Sequence, residues 1–217
     1  MIKKKLVVIL ACLLAAILGS CAVHNDGGKE SIASNVQADE IVAKVNGEPI
    51  RFGELALLMA RKRSETIRYF FDTYQAEDSA EYWTTDHEGE RPIDWLKAAA
   101  LEEAVRIKVQ QIIAKDEGIV ERIDYTAFRE DWQKENERRL KAAEKKELLY
   151  GPLQYEENTY YDYLFSNMVL QFKEMLRERD GLSVAEGERR YEEQVTKGLG
   201  SAAKATEWEV YNRIETP

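Results

Sequence analysis

Cysteine, histidine and proline are scarce in this chain: two, two and four among 217 residues. So few Cys and His leave little material for a metal cluster or a disulfide scaffold. A phosphate-cradling glycine motif is missing too, because the twelve glycines are scattered at turns and element ends. No Ser of the folded part sits in a nucleophile elbow. Positive charge is in deficit: 31 Lys and Arg against 40 Asp and Glu give a formal charge of −9 and a pI near 5.0. That balance argues against nucleic acid as the main partner, since phosphate binding needs a basic face. Neighbouring acids such as Glu102-Glu103 and Glu192-Glu193 resemble the carboxylate pairs of glycoside hydrolysis. Adjacent helical positions point in different directions, however, and forty acids produce such pairs by chance. Most enzyme classes are therefore poorly supplied, and the residues nominate no catalytic group, metal site or cofactor.

What is present is a foldable mixture, 44% hydrophobic and 33% charged, of a length that suits one domain plus a targeting segment. The one long apolar run, Leu6 to Leu18, follows Lys3, Lys4 and Lys5. A basic start and an apolar stretch of this length read as a secretory signal, too short for a stable spanning helix. The run ends in Leu18-Gly19-Ser20-Cys21, which resembles the lipobox of bacterial lipoproteins. The resemblance implies cleavage after residue 20 and acylation of Cys21. Residues 1–20 are then the signal peptide, and losing its three lysines takes the formal charge from −9 to −12. The expected location is the cell envelope, lipid-anchored on the extracytoplasmic side of a bacterial membrane. Residues 21–39, rich in Gly, Ser, Asn, Asp and Ala, read as a flexible tether. His24, in that tether, is read as solvated.

Ile41, Ala43 and Val45 alternate with their neighbours before Asn46-Gly47, the strongest local hairpin signal because both turn residues need positive φ. Pro49 confines the second strand to an edge. Apolar residues then recur at three- and four-residue spacings, predicting five helices. The first runs from about Phe52 to Tyr74. The second starts with Asp94 as N-cap and ends before Gly118. The third starts near Thr126 and stays charged through Glu147, with a thin apolar stripe. The fourth carries Tyr161, Leu164, Phe165, Met168, Phe172 and Leu176, and closes at Gly181. Ser183 and Glu186 form a capping box for the fifth. Gln75–Arg91 reads as a polar connection in which His87 is solvated, and Thr196–Ala205 as small and flexible. Trp208 and Val210 alternate with charges and admit a short C-terminal strand. The fold class is mostly α, five helices with a short N-terminal β-hairpin.

Aromatics gather in two places: Tyr69 to Tyr74, and Tyr155 to Phe165. Most of these rings serve to pack the core. The sharper reading is a concave apolar surface for extended polypeptide, with Phe70, Tyr74, Tyr161, Phe165 and Met168 as its residues.

The stretch Val45-Asn46-Gly47-Glu48-Pro49-Ile50 resembles the start of the N-terminal chaperone domain in the SurA and PrsA group of extracytoplasmic foldases. Gly53-Glu54-Leu55, the apolar helix Leu101–Lys115, the Tyr125/Phe128 segment and Tyr161–Arg179 follow in the family's order. Ser183-Val184-Ala185-Glu186 leading to Arg190-Tyr191-Glu192-Glu193 completes the match, so that residues 40–195 are the chaperone-like domain and 196–217 a C-terminal tail. Arg51 stands where the family often has a Ser or Thr cap. The Gln75–Arg91 and Leu148–Tyr155 segments look enlarged. Full-length members continue into a parvulin-type prolyl isomerase domain, for which the residues after 195 are too few. The resemblance implies an ATP-independent chaperone binding unfolded or secreted polypeptides, without cofactor. A dedicated assembly partner of one envelope protein remains open, as does, by family relation, a peptidyl-prolyl isomerase.

Overall fold

The structure is a computed structural model that describes residues 36–77, 79–215 and 217. The signal peptide, Cys21 and residues 21–35 of the expected tether lie outside the described residues. The last tether positions are packed: Val36 is buried, and the Ala38 and Glu40 carbonyls accept the Gly53 and Phe52 amides, each at 2.8 Å.

Strands β1 (Ile41–Val45) and β2 (Glu48–Arg51) form the hairpin, pairing antiparallel with Val45 opposite Glu48 and Lys44 opposite Pro49. Asn46 and Gly47 take φ of 51° and 86°, a left-handed turn geometry that Asn tolerates and that Gly, without a Cβ, adopts freely. Pro49 sits on an edge strand as expected, since the sheet order is β2-β1-β3. The third strand, β3 (Lys204–Thr206), pairs antiparallel with β1, and Asn46 clamps its start through its Oδ1 and the Ala203 amide, 2.8 Å apart.

Helix α1 (Phe52–Tyr74) follows β2 without a break. Arg51 offers no side-chain cap, and the backbone of residues 38–40 takes over that task. Helix α2 (Pro92–Asp116) starts two residues earlier than the expected Asp94 cap. Pro92 opens it because a missing N–H costs nothing in the first turn. Asp94 instead pairs with Arg91 and Lys97. Helix α2 ends with Gly118 at φ 74° and the Ile119 amide returning 2.8 Å to the Ala114 carbonyl. It packs against α1, the sheet, α4 (Glu157–Asp180) and α5 (Val184–Ser201), so buried apolar residues occur around its circumference.

Helix α3 (Tyr125–Glu144) is capped by Asp124, which accepts from the Ala127 amide at 3.0 Å. It stops three residues short of the expected Glu147 and packs mainly on α4 as one side of an arm. The Ser183–Glu186 capping box of α5 forms as read. Beyond it, the stretch expected to be flexible is structured: α5 runs to Ser201, and the expected short C-terminal strand is present as β3, just ahead of Trp208, where α6 (Trp208–Asn212) begins. Ile214 is buried, and Lys97 donates to its carbonyl at 3.1 Å.

Three buried clusters result. The largest lies between the sheet, α1 and α2; a second joins α4 to α5 through Phe172, Leu176, Tyr191 and Val195; a third surrounds Phe70 and Tyr82. The chain is thus mostly helical with a three-stranded antiparallel sheet. No described helix is long and apolar enough to cross a membrane.

Candidate functional site

A cleft of about 390 Å³ opens between the 120–125 loop and α3 on one side and α4 on the other, with Glu54 and Gln111 on its floor. It begins with a glycine. A side chain at Gly53 would overlap the Tyr125 ring, so Gly53 lets that ring lie directly on the start of α1. The Tyr125 hydroxyl donates to Glu157 Oε1 at 2.6 Å, joining the arm's two helices at their base. Phe128, one turn on, stacks on Tyr125 at 5.6 Å and meets Tyr161 edge-on at 5.2 Å.

Beneath these rings lies a buried charged network. Glu54 is 1% exposed and Lys108 fully enclosed, with Lys108 Nζ 3.2 Å from Glu54 Oε2. Tyr161 donates its hydroxyl to Glu54 Oε1 at 2.8 Å, and Lys108 donates to the Ile123 carbonyl at 2.9 Å. The acid, the base and the phenol therefore tie α1, α2, α4 and the 120–125 loop together at one point. Burial, followed by the Glu54 charge, pushes the Tyr161 phenol well above its ordinary range, which keeps it a neutral donor.

The open side of the cleft is apolar, formed by Leu164, Phe165 and Met168 on α4. Its rim carries Glu121, Arg122, Asp124 and Asp131, with Arg122 forked onto Asp131 at 2.7 and 2.9 Å. Phe165 also borders a wider depression of about 720 Å³ between α1, α2, α4 and α5. Charged side chains, among them Arg61, Lys62, Glu102, Glu103 and Lys173, dominate that second surface.

Of the five residues read as a polypeptide surface, the structure brings Tyr161, Phe165 and Met168 to this cleft. Tyr161 and Met168 show only edges, while Phe165 is half-buried. Phe70 and Tyr74 are elsewhere, and sixteen helical residues separate Phe70 from Glu54, about 24 Å along the axis. Phe70 is fully buried and cannot form part of a binding surface. Tyr74 and Tyr69 both donate to Glu90 Oε2, at 3.0 and 2.9 Å, while Tyr69 stacks on Trp95. His87, expected to be solvated, stacks on Tyr74 at 5.5 Å and closes a small bridge with Glu90. These aromatics make a collar that holds the α1–α2 connection. Sequence reading missed Glu54, Lys108, Gln111 and Phe128 as site residues. The available signal was a charge embedded in an apolar stripe: Glu54 one turn from Leu58, and Lys108 one turn from Ala104 and Ile112.

No protein-family model, curated protein or solved structure matches the chain. Fold and site define a class by architecture alone: a mostly helical domain, clasped by a three-stranded sheet, with an aromatic cleft braced by a buried ion pair.

Proposed function

We propose that this protein is a chaperone of the extracytoplasmic foldase type, lipid-anchored through Cys21, that holds unfolded or secreted polypeptides without ATP. The observation that carries this reading is the cleft itself. Its back is held rigid by the Glu54–Lys108–Tyr161 network, while Leu164, Phe165 and Met168 leave an adaptable apolar wall at its mouth. Met and aromatic side chains suit varied partners, because one adapts its shape and the other offers area with few rotors. A chain leaving the cleft over Phe165 meets the charged depression, which favours an extended ligand over a compact one. Exchange of such contacts needs no cofactor.

The test is suppression of aggregation of an unrelated unfolded protein at near-stoichiometric amounts, comparing the wild-type chain with Phe165→Glu. Phe165 also packs against two of the buried clusters, so the comparison includes helical circular dichroism and the urea midpoint, and the milder Phe165→Ser is tested beside it; a folded variant should lose the suppression. Equal activity of the two proteins, or none in either, sinks the reading.

A second reading, a dedicated partner of one envelope protein, is favoured by the arm. Leu148, Tyr150 and Leu153 stand exposed in the segment that follows α3, 78%, 81% and 52% accessible, where a single fitted partner would cover them. A crosslinked pull-down dominated by one species that disappears when these three become Ser would favour it.

A further inference from the structure

We infer that the segment after α3 rests on the lipid surface that holds the acyl anchor, with Leu148, Tyr150 and Leu153 as its immersed side chains. The inference rests on the lipid-anchored reading and is independent of polypeptide binding. It gives these three residues to lipid rather than to a fitted protein partner. Two independent observations carry it.

The first is the build of the segment. Its three large side chains are exposed, yet the backbone that carries them is fastened from beneath. Buried Arg139 donates to the Tyr150 and Pro152 carbonyls at 2.6 and 2.7 Å. Asn136 accepts from the Tyr155 amide at 2.7 Å and, with Trp132, donates to the Tyr155 carbonyl. Taking backbone out of water is costly unless its polar groups are already bonded, and here buried side chains bond them. The flank suits an interface as well. Lys145 and Lys146 are exposed and have no ion pair among the described residues. A lysine lays its stem on apolar surface while its ammonium stays wet, and a tyrosine divides in the same way between ring and hydroxyl. Glu144 and Glu147 cancel the two charges, so the contact is apolar and does not depend on anionic lipid.

The second observation is chain length. Val36 is buried, and Ala38 and Asp39 share a small recess with Tyr125, Thr126 and Arg129, so the described chain starts at the base of α3. Arg139 lies fourteen residues along that helix from Tyr125, about 21 Å. The fifteen residues from Cys21 to Asn35 span about 50 Å at most. The tether is therefore longer than the distance from its root to the segment, and the lipid surface is always within reach. Such tethering gives lipid a higher effective concentration at the segment than a free partner has. Size favours the same occupant. Three protruding side chains fall short of the about 800 Å² per partner that a stable protein interface buries. A modest second contact beside an acyl chain is, however, what firm membrane attachment requires.

The experiment uses the full acylated chain in phosphatidylcholine vesicles that contain a doxyl-labelled lipid, which quenches fluorescence at shallow depth. Signal removal takes Cys12 and acylation occupies Cys21, so one introduced cysteine takes the dye. Gln154→Cys places it beside Leu153, and Ser64→Cys on the exposed face of α1 is the reference. The dye at 154 should be quenched about twofold or more above the reference, at low and high salt alike. Leu148→Ser, Tyr150→Ser and Leu153→Ser together, all exposed changes that should keep the urea midpoint, should return it to the reference level. Equal quenching at 154 and 64 with the protein still on the vesicles overturns this inference and leaves the anchor standing. Quenching that the triple variant keeps, or that high salt abolishes, also overturns it. A dye at 154 that responds to native envelope membranes but not to pure lipid gives the segment to a protein partner instead. A chain that does not associate with the vesicles overturns the anchor and this inference together.

Discussion

Lys108 has its ammonium 3.2 Å from the Glu54 carboxylate and 2.9 Å from the Ile123 carbonyl, with no exposure to solvent. Two charges so deeply placed are stable only together. Lys108→Ala leaves a buried, unpaired Glu54 and frees the 120–125 loop, and should destabilise the protein by about 3–5 kcal/mol in urea unfolding. Replacing both charges, as Glu54→Leu with Lys108→Met, should recover most of that loss. A double variant as unstable as the single one would show that the pair is not the source. Tyrosines make a second residue-scale prediction. Burial foremost pushes the Tyr191 and Tyr211 phenols up to about 12, against an ordinary value of 10.0, and holds Tyr161 well above its ordinary range. The unfolded chain loses these protons near pH 10, whereas the folded one keeps them. Their contribution is fully present below pH 10 and is lost as pH rises towards 12 and beyond. Unfolding midpoints should therefore fall above pH 10, and less steeply in Tyr161→Phe. The partnership itself was not legible in the sequence. Periodicity places Glu54 and Lys108 on apolar stripes, but it does not say which charges meet across fifty-four positions.

At the level of elements, the helices were legible because their apolar spacing survives in the packing. The misreadings occur where a residue has two physical uses. Gly198 looked like part of a flexible stretch, yet it lies inside α5. A Cβ there would come within 2.8 Å of Val109 and 3.0 Å of Ile113, so the glycine permits close approach of α5 to α2. Gly198→Val should overpack this contact and cost about 1–3 kcal/mol, read as a lowered urea midpoint with unchanged slope. The arm shows the same ambiguity in its charges. Arg139, in the run that reads as charged with a thin apolar stripe, is only 4% exposed. It donates to the Tyr150 and Pro152 carbonyls at 2.6 and 2.7 Å, while Asn136 and Trp132 hold the Tyr155 carbonyl. Polar side chains here replace an apolar core by fastening backbone. Arg139→Ala should speed amide exchange across residues 150–156 while α1 and α2 keep their protection; uniform exchange throughout would contradict this.

Across the whole molecule, the cleft depends on which distant segments become neighbours. The sequence placed Tyr161, Phe165 and Met168 on one helical face correctly, because positions i, i+4 and i+7 coincide there. It also joined them to Phe70 and Tyr74, because composition carries no distance. The sheet has the same character: the hairpin is local and was readable from Asn46-Gly47, whereas β3 carries the short segment Lys204–Thr206 and pairs far away. Deleting residues 204–217 uncovers the free side of β1 and removes Ile214 from the core. The truncated chain should unfold at clearly lower urea and aggregate through the bared strand, as followed by light scattering.

The central position of β1 also bears on order in time. A polypeptide is made from its N-terminus onward, so β1 is ready long before β3 exists. Until residues 204–206 arrive, the hairpin offers one side to any passing strand. A pairing between segments so far apart in sequence forms more slowly than the local hairpin. The sheet therefore joins the two ends of the helical domain, and β1 is covered on both sides only once residues 204–206 have paired.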